Sequence, residues 1–386
     1  MIFITTIMFF IYPILTFPII ILGALRDRKY RNIYMIFLAF DIALISLNLD
    51  PKKYGLDLNV YFSIMDNIKN ISWNTFFEIY VNQKEILTNL LFYVFASIGN
   101  YNLWTFFVTF FCYSSLFYIV SDYAGIKKIN NKQFILVVGI CILFYNNISA
   151  ITGLRNSLAI NIFTLALYFE YFRKKKNIVY KILYLIPCTI HMSMIIGIII
   201  RLIIPFYKGK NKKYILIALI VYAISPTMII NFASKLGNTA MFSDIYEKTN
   251  TYIGESRNNI LNNMYVLIKT ITFANLFIIF EKNYKYNNDK IKDVTELICF
   301  FTFLSFNYGV IRDRWFDVCI ILLTLTFINS IEKIEKINII NKTILIMSML
   351  FMIIQQYSTL KKIDYADIIK NTYNQTLIQS FRERNN

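Results

Sequence analysis

The sequence predicts an all-α polytopic membrane protein, a bundle of about 10–12 transmembrane or re-entrant helices with an outward-facing cavity. Three observations predict it. Of the 386 residues 57% are hydrophobic and 16% charged, where an ordinary soluble domain is roughly 45–50% apolar and about 25% charged. Apolar runs recur from end to end, many near the ~20 residues that span a hydrocarbon core about 30 Å thick. The 40 Lys+Arg outnumber the 23 Asp+Glu, a net charge of +17, and the cations concentrate in short stretches between the apolar runs, as the positive-inside rule requires. That placement argues against a nucleic-acid partner. No stretch reads as an independent soluble domain, so residues 1–386 are expected to form one transmembrane domain in contact with membrane lipid.

Residues 3–25 form the first expected span, with Pro13 and Pro18 as candidate kinks. The basic stretch Arg26 to Arg31 then lies inside, and residues 33–49 cross outward. An outer loop follows at about 50–85 and holds Asp57, Tyr61, Trp73 and Glu85. Residues 86–99 are too short to cross and read as a re-entrant or interfacial half-helix. Residues 101–121 return to a basic inside loop, and 134–147 exit again. The next helix starts at Arg155, outside, and ends inside at the block Arg173 to Lys176. Residues 178–205 have cations at both ends, so they read as a hairpin of two short helices, broken near Pro187 with His191 close to its outer tip. Non-helical backbone at depth needs a protein or water cover, which implies a cavity around His191. Spans at 214–232, 264–280, 294–310, 316–331 and 339–357 complete the chain. They leave outer loops at 233–263 and 311–315 and an outer tail at 358–386.

The five cysteines, Cys112, Cys141, Cys188, Cys299 and Cys319, lie in apolar runs with no pairing by spacing. Neither a disulfide frame nor a metal site is expected, and no cofactor-binding motif or repeat is visible. The candidate chemistry lies in charged groups at the outer ends of the helices: Asp57, Glu85, Arg155, His191, Arg312, Asp313, Arg314 and Asp317. Arginine and histidine are expensive at membrane depth, so each marks a site by default. The planar guanidinium fork suits phosphate oxygens, and two arginine sites with a histidine can hold a diphosphate without a metal. A carboxylate, Asp57 or Glu85, would then be the general base for a sugar hydroxyl; His191 either holds phosphate or is itself that base. Trp73, Trp104 and Trp315 read as interfacial belt residues, and the inner lysine blocks as topology signals.

GLRNSLAINIFTLALYFEYFRKKK, then IHMS, then IRDRWF resemble the EpsG-type branch of the Wzy bacterial polysaccharide polymerases. The family's elements fall on Gly55, Asp57 and Tyr61, on Glu85, on Arg155 and Asn156, on His191 and Ser193, and on Arg312 with Trp315 and Phe316. Two departures stand out. Lys52 and Lys53 replace an arginine usually found before the glycine–aspartate element, and Gly55 is followed by Leu56. Arg312 matches the late arginine better by spacing, with Arg314 the other candidate.

The resemblance implies a multi-pass protein of the bacterial cytoplasmic membrane that makes O-antigen, capsule or exopolysaccharide. It implies a glycosyltransferase that moves a growing glycan from undecaprenyl diphosphate onto a lipid-linked repeat unit, with a flippase and a chain-length regulator as partners. Catalysis then falls to His191, Asp57 and Glu85, and substrate binding to Arg155, Arg312, Arg314, Tyr61 and Asn156. Two alternatives stay open: a lipid-linked oligosaccharide flippase, against which the absence of internal repeats argues, and a membrane acyltransferase using His191 as base.

Overall fold

A computed structural model describes residues 2–48, 56–80, 85–209, 211–224, 260–283, 290–305, 309–330 and 338–362. All regular structure among the described residues is helical. The chain divides into two compact units, residues 1–195 with 349–386, and residues 196–348.

In the first unit the N-terminal span is two helices, α1 (Ile2–Ile11) and α2 (Phe17–Arg26), joined by a 3₁₀ turn. The interruption lies at Pro13, which has no N–H to donate. Pro18 stands in the first turn of α2, where that N–H would be unpaired anyway, and does not interrupt the helix. α3 (Arg31–Ser46) packs along α7 (Asn102–Ile126). Arg31 does more than signal topology. It is buried, its Nε–H donates to the Ala24 carbonyl at the end of α2 (2.9 Å), and its guanidinium lies over the Phe134 ring.

The segment expected to be a polar outer loop at 50–85 contains two helices, α4 (Leu56–Ile68) and α5 (Trp73–Tyr80). Their apolar residues recur at helical spacing: Leu58, Tyr61, Met65 and Ile68 are all buried. The polar residues that suggested a loop occupy the other face. α6 (Ile86–Ile98) follows. At 13 residues it reaches about 20 Å, short of a hydrocarbon core.

α8 (Asn131–Phe144) opens with a capping box between Asn130 and Gln133. The chain then bends through the short α9 (Asn147–Ile151) into α10 (Arg155–Leu167), which ends in a π turn, Tyr168–Phe172. Side chains satisfy the backbone that the bend releases. Asn147 donates to the Ile142 carbonyl and Thr109 to that of Ala150. Gln356, on α18 (Ile339–Lys362), donates to that of Leu143. Asn161 joins Ser115 and Tyr145 in a buried network beside them.

The stretch after the basic block is broken as expected by a turn at residues 183–185, just before Pro187, and it breaks a second time at His191. Pro187 lies in the first turn of α12 (Ile186–Ile190), preceded by α11 (Ile178–Ile182). His191 is extended (φ −146°, ψ 115°), a 3₁₀ turn Met192–Met194 follows, and α13 (Ile195–Ile203) resumes the helix.

The second unit contains most of α13, then α14 (Asn211–Ile224), α15 (Ile260–Asn283), α16 (Lys290–Leu304), α17 (Gly309–Ser330) and the first half of α18. The expected turn at 311–315 is the beginning of α17. Trp315 and Asp317 are buried there, with Trp315 edge-on to Phe301 of α16, so packing fixes what mixed charge suggested was a turn. Residues 233–259 of the expected outer loop at 233–263, and the part of the expected tail beyond 362, lie outside the described residues. α7 and α18 are long and apolar enough to cross a membrane; several other apolar helices are shorter.

Candidate functional site

Five elements of the first unit converge on Arg155. Gly153 comes first. Its backbone is left-handed (φ +72°), and its carbonyl accepts the Trp104 indole N–H at 2.8 Å. A Cβ there would stand 3.1 Å from the Thr105 Cα. Only glycine combines that φ with so close an approach to α7. The contact fixes where α10 begins, and Arg155 is its first residue.

Beneath Arg155 lies an aromatic floor. The guanidinium carbon is 5.4 Å from the centre of the Tyr61 ring. Phe92 and Trp104 pack against Tyr61 at ring-centre distances of 5.3 and 6.3 Å. Trp104 is fully buried and holds this floor together, so it is not a belt residue, nor is the buried Trp315; Trp73 alone of the three is exposed. Burial raises the Tyr61 phenol to about 12 despite the opposing pull of the Arg155 charge. Tyr61 therefore keeps its proton at neutral pH. Asp57 is exposed in the first turn of α4, four residues before Tyr61, near enough for its charge to act on that ring.

Glu85 joins the two halves of the site. Its Oε2 is 2.5 Å from Arg155 Nη1. Its Oε1 accepts the Met192 backbone N–H at 3.2 Å and lies 3.9 Å from His191 Nδ1. One turn along α6, Thr88 donates to the Ile190 carbonyl at 2.8 Å. Glu85 and Thr88 thus satisfy the N–H after His191 and the carbonyl before it, the two groups that a helix break leaves unpaired. The break at His191 is therefore built by α6.

The imidazole has a defined orientation. Its Nδ1 accepts the Ser193 backbone N–H at 3.3 Å, and the Ser193 hydroxyl lies 2.8 Å away. A backbone N–H can only donate, so in the neutral ring Nδ1 is the acceptor and Nε2 carries the proton. His191 is thereby set to donate from Nε2. Asn156 stands beside Arg155 on α10, and its buried Oδ1 accepts no hydrogen bond from the described residues.

The structure therefore gathers Asp57, Tyr61, Glu85, Arg155, Asn156 and His191 in one unit. Arg312 and Arg314 belong to the other unit, in the opening turns of α17. Arg312 Nε lies 2.9 Å from Asp313 Oδ1. Lys269 of α15, buried, lies with its ammonium 5.3 Å from the centre of the Phe316 ring. Sequence reasoning passed over Thr88, Gly153 and Lys269. The signal for Lys269 was a lone cation inside an apolar run, and that for Gly153 its place at the head of the GLRN element; Thr88 had no signal stronger than its neighbours'.

The profile of a known family matches residues 33–370. The chain belongs to the EpsG family. The EpsG family comprises Wzy-like polysaccharide polymerases, which are membrane proteins. The match takes in every residue of the site just described. No curated protein and no solved structure matches the chain significantly.

Proposed function

We propose that this EpsG-family protein is a metal-independent glycosyltransferase acting at the outer face of the bacterial cytoplasmic membrane. It transfers a growing glycan from undecaprenyl diphosphate onto a lipid-linked repeat unit. The observation that supports this most is the Arg155 site: a guanidinium at a helix start, over an aromatic ring, with a histidine set to donate on the other side of Glu85. Helix N-termini and guanidinium forks both favour phosphate oxygens. The partly buried setting strengthens those contacts over water.

In the reaction a hydroxyl oxygen of the acceptor sugar attacks the anomeric carbon of the donor glycan. The bond from that carbon to the phosphate oxygen breaks, and its electron pair leaves with the diphosphate. Arg155 and His191 Nε2–H stabilise the charge that develops there, an electrostatic role that is often the largest single contribution to such catalysis. A carboxylate, Glu85 or Asp57, takes the acceptor proton. Tyr61 supports Arg155 through its ring face.

Purified protein in detergent with lipid-linked repeat units and EDTA tests the scheme, with polymer length read on a gel. Activity should persist in EDTA. His191→Gln keeps a donor and should retain part of the activity. Loss of polymerisation in EDTA and its return with a divalent ion would defeat the metal-free scheme. Complete loss in His191→Gln with binding intact would make His191 the base.

A further inference from the structure

The Arg155 site already holds an anion, and that anion is the protein's own. The Glu85 carboxylate takes the Arg155 guanidinium on Oε2 and the Met192 N–H on Oε1, with His191 beside it. A guanidinium and a backbone N–H are also groups that phosphate oxygens take. Glu85 stands at the N-cap of α6, yet its side chain makes no hydrogen bond to the helix it opens. Its backbone is left-handed (φ 65°, ψ 43°), a conformation rare for a residue with a Cβ and concentrated at ligand clamps and switches. Its side chain is 13% exposed, against 30% for Arg155, so the arginine can be approached from outside the pair.

We propose that Glu85 is a placeholder anion: it occupies the donors that receive the substrate diphosphate, and the diphosphate's arrival displaces it. This rests on the diphosphate reading above. The displaced carboxylate, no longer neutralised by Arg155, is the group that takes the acceptor proton. Base and leaving-group site are then armed by one event, and no base is released while the site is empty. Placement also sets selectivity. A tethered carboxylate competes at high effective concentration, so a lipid diphosphate displaces it where a lipid monophosphate, with fewer charges and oxygens, does so poorly. The site thereby distinguishes the loaded carrier from a monophosphate lipid.

Binding of farnesyl diphosphate and farnesyl monophosphate to the purified full-length protein tests this. Glu85→Gln keeps the shape and removes the charge. It should bind the diphosphate about tenfold tighter than wild type, bind the monophosphate with a larger gain, and lose polymerisation. Glu85→Asp keeps the charge but is too short to bridge Arg155 and Met192; it should shift binding in the same direction by less, and it serves if the glutamine variant does not fold. Unchanged or weaker diphosphate binding in the folded variants makes Glu85 a fixed positioning residue and overturns the proposal. Arg155→Ala separates the two readings: if it binds farnesyl diphosphate like wild type, the diphosphate site itself is misplaced.

Discussion

At Gly153 one absent methyl group decides how closely the start of α10 approaches α7. Alanine there would be strained by φ +72° and would crowd the Thr105 backbone at 3.1 Å. Gly153→Ala should destabilise the protein by about 2 kcal/mol or more, seen as a lower unfolding temperature in detergent, and should cut activity by moving Arg155. An unfolding temperature and activity equal to wild type would show that α7 and α10 yield there. In the sequence Arg155 and His191 stood out because charge near an apolar run is costly, whereas Glu85, in polar sequence, was a candidate general base; the structure brings these three within one cluster. Trp104 was misread because an indole near a helix end has the same pattern whether it faces lipid headgroups or, as here, bonds a buried carbonyl.

Among the elements, α6 carries more than its length suggests. It reads as an apolar half-helix, yet its first turn supplies both groups that stabilise the break at His191. Thr88→Val is nearly isosteric and leaves the Ile190 carbonyl unpaired. A loss of about 1–3 kcal/mol is expected, together with a drop in polymerisation that exceeds any change in folded protein, because His191 loses its fixed position. Full activity in a folded Thr88→Val protein would remove α6 from the account. The turn just before Pro187 was legible from the proline. The second break, at His191, was not, because it falls where side chains from α6 replace the lost backbone bonds. The helices at Leu56–Ile68 and Trp73–Tyr80 were missed because polar residues, such as Asp57, Asn59, Asp66 and Asn67 in the first and Asn74 and Glu78 in the second, interrupt the apolar run.

At the scale of the whole molecule the all-helical class followed from composition and run length, and the described residues are helical throughout their regular structure. Division into two units was not legible, since apolar runs follow one another without a compositional seam. The orientation in the membrane comes from the charge pattern and makes a direct prediction. Cysteine at Asn156 should react with an impermeant thiol reagent applied to intact cells, and cysteine at Lys175 should not. Labelling of the Lys175 variant from outside would reverse the orientation and put the Arg155 site on the cytoplasmic side.

The claim on which the rest depends is that Arg155 holds the diphosphate of a lipid-linked glycan during transfer. Its most direct test is the rate of polymerisation by purified Arg155→Ala and Arg155→Lys, each matched to wild type in amount and unfolding temperature. The alanine variant should lose about 10²–10³-fold, as removal of a charge-stabilising donor does elsewhere. Lysine should recover only part of that, since an ammonium cannot reproduce the two-pronged fork. Full-length polymer made by Arg155→Ala at the wild-type rate would contradict the account and leave Arg155 an interfacial anchor.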